Sequence, residues 1–366
     1  MRVEINFEKL KKEINKALSA CMKTGSNPNL KGIYIEALDG ELLIRSTNID
    51  IGFESTVKCK VEQEGKFLIS GDVIGRLLNT INSRSNSNSI IEFSGSTCTI
   101  SVDQHNFKLK TLSFESFPSL PKVEGIEILV DSKMFLNGLR SVIYSVAKSE
   151  IKPEISGIFV KLLENNICFV ATDAYRLAEK KVNLEEDMVE ISFIIPEKNV
   201  KELLRIIDND YEGKVTLTIS KNSLQIKENN TFLVSRLIEG NFPNYTQIIP
   251  STPVSFAIFL KEDLVKSLKI VSFFSDKTQQ ISLNITENNS EMEANNNEVG
   301  STKEVLNSTL KGDPFVVKLN SKYLEEFLAN TTDTSVVMKF TAQNKAIIVQ
   351  GIQDSNYTYL LMPSYR

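Results

Sequence analysis

The chain has 366 residues, 41% of them hydrophobic, with 46 acidic and 42 basic side chains and a net charge of −4. This length is typical of a globular protein of two or three domains, which removes roughly three quarters of its unfolded surface from water. No segment approaches the ~20 uninterrupted apolar residues of a membrane-spanning helix, and the N-terminal stretch has no apolar signal-peptide core. We therefore expect a cytoplasmic protein that does not enter a membrane. The acidic balance excludes a conventional basic nucleic-acid binder, unless positive charge is gathered on one surface.

The cysteine and histidine content argues against a metal site. Cys21, Cys59, Cys98 and Cys168 are far apart and include no C-x-x-C pair, and His105 is the single histidine. Zinc sites and disulfide frameworks need closer or more regular spacing. We expect reduced thiols in the core, an exposed His105 in its polar segment, and no cofactor.

The first third of the chain predicts a strand, a helix, several strands, a second helix and further strands. The first helix is indicated by apolar residues three or four positions apart: Phe7, Leu10, Ile14, Leu18 and Cys21. The second follows the apolar run 66–69 and has the same spacing: Ile74, Leu77, Leu78 and Ile81. The polar stretch 83–89 predicts a loop.

The middle third repeats this order. Its first helix is indicated by Phe135, Leu139, Val142 and Val146, and its second by Val200, Leu203, Leu204 and Ile207. Between them, residues 157–171 predict a hairpin whose turn is Asn165-Asn166. A corner of small, charged and aromatic residues, 172–177, follows the hairpin.

The last third has the same elements with a weaker hairpin that begins at Ile281. Its helices are indicated by Leu264, Leu268 and Val271, and by Leu324, Phe327 and Leu328. The asparagine-rich stretch 288–297 is polar and predicts a loop, whose order the sequence does not determine.

The three thirds are copies of one unit. Phe67, Phe193 and Phe315 each open the run before a second helix, at offsets of 126 and 122 residues. Such self-similarity predicts an α+β fold of three repeated domains, each with antiparallel sheets and two helices on one sheet face. The predicted boundaries are 1–125, 126–251 and 252–366. Copies placed side by side leave an unpaired strand edge at each end, and a ring closed head to tail with a second chain removes both edges.

Charge is divided unequally between the helices and the rest of the chain. The six predicted helical segments together carry +6, so the remaining residues carry −10. A charged helix surface is most often simply solvated. Positive charge gathered over the helices as a set instead favours a surface that meets phosphates without reading sequence.

Three segments carry a family resemblance. ATDAYRLA (171–178), SRLIEGNFPNY (235–245) and the terminal YLLMPSYR (359–366), together with the repeat, resemble the bacterial DNA polymerase III beta subunit, the replicative sliding clamp. The resemblance covers the whole chain. It implies the DNA clamp fold, with each chain forming half of a closed ring, and a processivity factor that is not an enzyme. The implied partners are double-stranded DNA, a second copy in a head-to-tail homodimer, the DNA polymerase III alpha subunit, the clamp loader and other clamp-binding-motif proteins.

The resemblance also implies three sets of site residues. The pocket for partner peptides would comprise Ile155, Thr172, Ala174, Tyr175, Arg176, Leu177, Pro243, Ile248, Leu360, Met362, Pro363, Ser364 and Tyr365. The residues facing DNA would be Lys12, Lys16, Lys23, Arg84, Arg140, Lys148, Lys152, Lys198, Lys201, Arg205, Lys266 and Lys269. The candidates for the dimer interface are Phe107, Leu109, Phe273 and Phe274, which could equally be core residues. The resemblance implies no catalytic residue and no metal ligand.

The pocket departs from the family pattern at three positions. Ala174-Tyr175 stands where members usually have Gly or Ser followed by His, and Gln247 replaces a frequent Arg. We therefore expect a changed pocket shape and a changed peptide preference.

Two other readings remain at this point. Asp173, Tyr175 and Arg176 could form a catalytic cluster, although no nucleophile, phosphate loop or metal set accompanies them. The chain could also be a protein-only scaffold that uses the pocket without encircling DNA. Ordinary packing at a strand corner would likewise account for Tyr175 and Leu177.

Overall fold

The computed structural model describes residues 1–82, 87–149, 151–184, 189–207, 211–342 and 345–364. Within these residues two α-helices fall in each predicted copy. The helices are α1 (Phe7–Ala20), α2 (Gly71–Thr80), α3 (Ser132–Val142), α4 (Glu197–Ile206), α5 (Lys261–Phe273) and α6 (Ser321–Asn330). The order of helices and strands predicted from the repeat is confirmed.

The strands are short and numerous. Those of the first copy are β1 (Arg2–Asn6), β2 (Gly32–Leu38), β3 (Glu41–Thr47), β4 (Ile51–Lys58), β5 (Lys60–Gln63), β6 (Gly65–Ser70), β7 (Asn88–Ser94), β8 (Thr97–Val102) and β9 (His105–Leu112). Those of the second are β10 (Ile126–Asp131), β11 (Gly157–Leu163), β12 (Asn166–Thr172), β13 (Arg176–Asn183), β14 (Ile191–Pro196), β15 (Lys214–Ile219), β16 (Ser223–Glu228) and β17 (Thr231–Arg236). Those of the third are β18 (Ser255–Leu260), β19 (Gln280–Ile285), β20 (Ser290–Asn296), β21 (Gly300–Leu306), β22 (Ser308–Lys311), β23 (Phe315–Asn320), β24 (Ser335–Phe340), β25 (Ile347–Gly351) and β26 (Tyr357–Leu361).

The chain packs as two units that do not coincide with the three copies. The first unit comprises residues 1–136 and 198–237. Its thirteen strands form one antiparallel sheet in the order β10-β15-β16-β17-β4-β3-β2-β6-β9-β8-β7-β1-β5. The pairing of β17 with β4 makes this sheet continuous from the second copy into the first.

The second unit comprises residues 137–197 and 238–366. It contains a nine-stranded sheet, β14-β11-β12-β13-β26-β25-β24-β18-β22, and a four-stranded sheet, β21-β20-β19-β23. Here β26 of the third copy pairs with β13 of the second. We call an antiparallel strand pair that connects two copies a joint. One joint therefore occurs in each unit.

The helices bury one face against the sheets. In α1 the side chain of Asn6 accepts a hydrogen bond from the amide of Lys9 at 3.1 Å, which caps the helix start. The buried face of α1 packs on β3 and β4: Phe7, Leu10, Ile14, Ala17 and Ala20. In the second unit, Gly138 lies against the ring of Phe169, where a Cβ atom would come within 2.2 Å of the ring. This close approach packs α3 against β12, the strand that precedes the corner at residues 172–177.

Two predictions of loops were wrong in whole or in part. The stretch 288–297 contains β20, in which Ser290, Met292 and Ala294 are buried and alternate with more exposed Glu291 and Glu293. Small and polar side chains on the buried face concealed the period of two that indicates a strand. In the stretch 83–89, the strand β7 already begins at residue 88, and residues 83–86 lie outside the described part.

The third copy also aligns differently from the prediction. Phe67 and Phe193 are the third residues of β6 and β14, and the third residue of β23 is Val317. Val317 is buried, whereas Phe315 is only partly buried. The offset from Phe193 is thus 124 residues rather than 122, because an aromatic residue two positions earlier imitated the repeat.

Candidate partner-binding site

The hairpin of the middle copy ends in a corner that is fixed by its own side chains. The hydroxyl of Thr172 donates to the carbonyl of Arg176 at 2.6 Å and accepts from the amide of Ala174 at 3.1 Å. Asp173 Oδ1 accepts from the amides of Tyr175 and Arg176, each at 3.0 Å. These bonds hold Ala174 at φ 76°, a left-handed conformation that costs a residue with a Cβ atom roughly 1 kcal/mol or more.

The corner is a shared feature of the fold. In the first copy the hydroxyl of Thr47 donates to the carbonyl of Ile51 at 2.9 Å, Asn48 Oδ1 accepts from the amides of Asp50 and Ile51, and Ile49 has φ 82°. The carboxylate of Asp173 accepts hydrogen bonds from the backbone of the corner. Asp173 was considered above as part of a catalytic cluster, and these bonds give it a structural role instead. The hairpin before the corner turns at Glu164 and Asn165, one residue earlier than predicted.

Arg176 lies beneath the corner rather than on its surface. Only 5% of the residue is exposed. Its guanidinium donates to Asp173 Oδ2 at 3.0 Å, to the carboxylate of Glu326, and to the carbonyl of Tyr144 at 2.6 Å, and it stacks 4.3 Å from the ring of Tyr323. Burial acts to lower the pKa of Arg176, but the carboxylates of Glu326 and Asp173 outweigh it and raise the pKa. The side chain thus ties the corner to α6 and positions its neighbours.

A cluster of buried tyrosines surrounds this guanidinium. The hydroxyls of Tyr144 and Tyr357 lie 2.7 Å apart, Tyr357 donates to the carbonyl of Ser141 at 2.6 Å, and Tyr359 donates to the carbonyl of Tyr323 at 2.9 Å. Burial raises the pKa values of Tyr144, Tyr357 and Tyr359 well above their usual range, so these hydroxyls remain protonated.

An apolar floor lies next to the corner. In the antiparallel register Leu177 stands opposite Leu360, and Leu360 stands opposite Ile348, so one row crosses β13, β26 and β25. Val170 and Ala346 complete this buried cluster, and four partly buried side chains pack against it: Phe159, Phe242, Tyr245 and Ile249. We call the five buried side chains and the four that pack against them the apolar floor.

Exposed apolar side chains stand around the floor. Tyr175 is 66% exposed, Ile248 50% and Met362 37%. The amide of Met362 donates to the carbonyl of Tyr175 at 2.9 Å, which brings the C-terminal segment against the corner. Tyr245 is the first residue of the 3-10 helix Tyr245–Ile248, and its hydroxyl donates to the carboxylate of Glu179 at 2.7 Å. An apolar floor with an exposed aromatic and aliphatic rim suits an anchoring side chain of an extended peptide.

The structure brings most of the predicted pocket residues together. Thr172, Ala174, Tyr175, Arg176 and Leu177 share the corner, with Leu360 and Met362 beside them. Pro243 is exposed, and Pro363 and Ser364 are half-buried. The amide of Ser364 donates to the carbonyl of Lys318 of β23 rather than to the corner. Ile155 is buried in the 3-10 helix Pro153–Ile155 and is not a member of the apolar floor. Tyr365 lies outside the described residues.

Sequence analysis missed several residues of the site. Ala346 and Ile348 belong to the floor and Tyr323 stacks on Arg176, but none of them is near the corner in sequence. The sequence has an apolar run at residues 346–349. Its neighbours could not be read from the sequence, because the register of β25 against β26 decides them.

In the first unit, predicted DNA-facing residues lie on α1 and α4 and in the segment after α1. Lys12, Lys198 and Lys201 are exposed. Lys23 pairs with Glu202 at 2.7 Å, and Arg205 pairs with the same carboxylate at 2.8 Å. Lys16 is half-buried and pairs with Glu13 at 3.1 Å. Arg84 lies outside the described residues.

In the second unit, Lys148, Lys152, Lys266 and Lys269 are exposed, and Arg140 of α3 is half-buried. Lys266 lies 3.9 Å from both Glu262 and Asp263 of its own helix. Counted within their observed bounds, the six described helices carry +5, and the remainder of the chain carries −9. The segregation of charge thus persists with slightly smaller values.

The candidate interface residues lie within strand β9 and at the C-terminal end of α5. Phe107 and Leu109 are half-buried in β9, opposite buried Ile100 and Cys98 of β8. Phe273 is 73% exposed at the end of α5 and meets Phe274 edge to face, with ring centroids 5.3 Å apart. These residues are therefore available at edges of their units.

All four cysteines are free, and three are buried while Cys59 is half-buried. Burial raises the pKa values of Cys21 and Cys98 to about 12, which keeps both thiols protonated. His105 is exposed, as predicted. Across the described ranges, no group of three or more His, Cys, Asp or Glu could hold a metal ion, and no helix is long and apolar enough to span a membrane.

Comparison with known families decides the assignment. Models of the DNA polymerase III beta subunit match consecutively: the N-terminal domain at residues 1–121, the central domain at 129–244 and the C-terminal domain at 246–365. The chain belongs to the DNA polymerase III beta subunit family. It is thus a sliding clamp of DNA replication, built from three clamp domains of antiparallel sheets and a few helices.

Relatives support this assignment over the whole length. Proteins named beta sliding clamp from Treponema pallidum, Buchnera aphidicola and Haemophilus influenzae are 27%, 25% and 25% identical, and each match spans 99% of both chains. The crystal structure of the DNA polymerase III beta subunit from Thermotoga maritima superposes with a TM-score of 0.94 at 25% identity, covering 100% of this chain and 99% of the other. The sliding clamp from Bacillus subtilis gives 0.92 at 22% identity, with coverage of 100% and 99%. A clamp from Pseudomonas aeruginosa bound to griselimycin shares the fold, with a TM-score of 0.93 at 18% identity and full coverage of both chains.

Proposed function

We propose that two copies of this beta subunit close head to tail into a ring around duplex DNA and hold replication proteins at the candidate partner-binding site. The partners would be the DNA polymerase III alpha subunit, the clamp loader and other proteins with a clamp-binding peptide. The chain itself would act in the cytoplasm, without catalytic residues or a cofactor, through the domains 1–125, 126–251 and 252–366.

One observation carries the ring. By position in the repeat, β9 corresponds to β17 and β26, and β21 corresponds to β4 and β13. β17 pairs with β4, and β26 pairs with β13. In the described residues, β9 pairs with β8 and touches β6 only at its end, and β21 is the last strand of its sheet. A second copy supplies the missing partner for both edges, which closes the ring.

The helices supply a weak and non-specific contact to DNA. Most of their predicted DNA-facing side chains are exposed, while neighbouring carboxylates such as Glu202 and Glu262 moderate the charge. Phosphate contacts of this kind carry affinity without reading bases. A ring held by topology needs no tighter contact, and a looser contact permits sliding.

The partner-binding site suits an extended peptide with one large apolar anchor. The apolar floor accepts the anchor, and Tyr175, Ile248 and Met362 enclose it. Arg176 supports the corner from below through its bonds to Asp173 and Glu326. A tyrosine in place of the usual histidine enlarges the rim, which favours a larger or flatter apolar side chain.

A topological experiment tests the function. The protein is loaded by a clamp loader onto nicked circular DNA, and retention is measured before and after the circle is cut. We expect retention on the circle and loss from linear ends, because an encircling ring can slide off. Equal retention on both forms would contradict the ring, and a protein-only scaffold would be retained on neither.

A further inference from the structure

The ring proposed above can be specified to single residues, because the two internal joints define which positions meet. Strands β9, β17 and β26 are matched through one residue at or just beyond the end of each strand. Leu112, the last residue of β9, lies opposite Leu68, and the amides of Ile238 and Ser364 donate to the carbonyls of Ile194 and Lys318 at 2.9 Å. The three acceptor positions are equivalent, each two residues before the end of its strand. His105, Thr231 and Tyr357, each seven residues earlier, are therefore equivalent.

The other partner strands are matched through the corners. β4, β13 and β21 each begin four residues after the end of the preceding strand. Their fifth residues are consequently equivalent: Ser55, Lys180 and Glu304.

Both internal joints have one register. Thr231 lies opposite Ser55 where β17 meets β4, and Tyr357 lies opposite Lys180 where β26 meets β13. The geometry points to the same antiparallel register between subunits, with His105 of one copy opposite Glu304 of the second copy. This inference rests on the proposed ring and adds the pair that closes it.

The equivalent pairs make side-chain contacts in both joints. The hydroxyls of Thr231 and Ser55 lie 3.5 Å apart, and Lys180 Nζ lies 5.6 Å from the centre of the Tyr357 ring. The adjacent backbone groups form the ladder bonds, from the amide of Thr56 to Asn230 and from the amide of Lys181 to Asn356. The pairs themselves are therefore non-hydrogen-bonded sites, at which opposing side chains approach most closely. His105 and Glu304 would meet in the same way.

The equivalent positions in the two internal joints are shielded from water. Thr231 and Tyr357 are 6% and 2% exposed, so the equivalent site in the ring is enclosed. His105 lies opposite Val102 of β8 and stacks on Phe107 with ring centroids 6.0 Å apart. Nearby Asp103 belongs to the preceding turn and accepts from Ser87 at 2.6 Å.

The charged neighbours of Glu304 are largely balanced. On its own strand, Lys303 points to the opposite face and pairs with Glu291 of β20 at 2.8 Å, while Glu293 of β20 lies 3.9 Å from Lys303. The helix α5 packs on β21 and carries both signs of charge: Lys261, Glu262, Asp263, Lys266 and Lys269. His105 of the second copy is thus the imidazole that would meet this carboxylate.

The pair makes ring closure sensitive to pH. An imidazole gains its proton between about pH 8 and about pH 5, and a facing carboxylate favours the protonated form. The closed ring then binds the proton more tightly than the separate subunits, so the stabilisation is present at lower pH and is lost as the imidazole deprotonates. A tenfold gain in proton affinity would tighten closure about tenfold per interface, and about a hundredfold over the two interfaces.

Cysteine cross-linking tests the register. In the double variant His105→Cys with Glu304→Cys, we expect a disulfide-linked dimer under mild oxidation, because opposite Cα atoms in a strand pair lie within disulfide range. The matched control, His105→Cys with Thr302→Cys, shifts one position by two residues and should not link. A dimeric protein that links only in the control, or in neither variant, would overturn the register. A protein that is monomeric at all concentrations would instead overturn the ring itself.

The dimer dissociation constant tests the ion pair. Sedimentation at about pH 6 and about pH 8.5 should show tighter association at the lower pH for the unmodified chain. His105→Gln and Glu304→Gln should each remove this difference, and Glu287→Gln, an exposed carboxylate in the turn before β20, should retain it. A dimer whose dissociation constant does not change with pH, or a pH dependence that survives His105→Gln, would overturn the pair.

Discussion

Arg176 combines a buried position with several bonds to charged and polar groups. Asp173, Glu326 and the carbonyl of Tyr144 take its donors, and Tyr323 covers one face. Only a guanidinium presents donors in this fork, so the residue is suited to join the corner to α6. Its contribution to partner binding is then indirect, through the position of Tyr175 and Met362.

Removal of this guanidinium should destabilise the protein. We expect Arg176→Ala to cost about 3 kcal/mol, at the low end for a broken buried ion pair because Glu326 keeps some access to water. Arg176→Lys should lose much of the same stability, since an ammonium group cannot form the fork. Urea unfolding measures the effect, with Arg205→Ala as the control: the Arg205 side chain is 60% exposed, and its pair with Glu202 should contribute less than about 1 kcal/mol. Equal midpoints for Arg176→Ala and Arg205→Ala would refute this role.

Substitutions at Tyr175 and Leu177 should have different effects, one on peptide affinity and the other on stability. Tyr175 is 66% exposed, and we expect Tyr175→Ala to weaken a clamp-binding peptide about tenfold while leaving unfolding unchanged. Leu177 is 1% exposed, and Leu177→Ala should cost about 2–5 kcal/mol of stability. Fluorescence anisotropy with a labelled peptide and thermal unfolding give the two readouts. Leu38→Ala, an exposed apolar residue in the first unit, should change neither, and full peptide affinity in Tyr175→Ala would remove Tyr175 from the site.

At the scale of elements, regular spacing determined what the sequence could predict. The helices were found because their apolar stripes are strong, and the corner was found because small, charged and aromatic residues abruptly follow the apolar run of the hairpin. The strand β20 was missed because serine and alanine occupy its buried face beside Met292. Ile348 was missed because strand register, which sequence spacing does not reveal, places it opposite Leu360.

The strand β20 can be tested through Met292. This side chain is 0% exposed, so Met292→Ala should destabilise the protein by about 2–5 kcal/mol through the cavity it leaves. The neighbouring Glu293 points to the other face and is half exposed, and Glu293→Ala should change stability by less than about 0.5 kcal/mol. Urea unfolding distinguishes the two. Similar small effects for both substitutions would mean that this stretch behaves as the loop predicted from composition.

At the scale of the whole molecule, three copies make two joints inside the chain, and in the described residues β9 of the first unit and β21 of the second take part in no such joint. Each internal joint buries side chains at the matched positions, as the 2% exposure of Ser55 and of Tyr357 shows. Strand β9 carries Lys108 and Lys110, and lysines on an open edge discourage pairing with unrelated edges. The repeat, the fold and the open edges follow from one strand pairing used repeatedly.

A single proline should open the ring and leave each subunit folded. The amide of Thr111 donates to Ser96, so alternate residues of β9 bond to β8 and the amide of Lys108 faces the open edge. Lys108→Pro then removes one bond between subunits but none to β8, and proline is tolerated at a strand edge. We expect Lys108→Pro to be monomeric, to bind a clamp-binding peptide with unchanged affinity, and to be lost from nicked circular DNA. Lys108→Ala keeps the amide and should stay dimeric and retained. If Lys108→Pro remained on circular DNA as a dimer, closure through β9 would be wrong, while the intact peptide affinity would show that the partner-binding site needs only one folded chain.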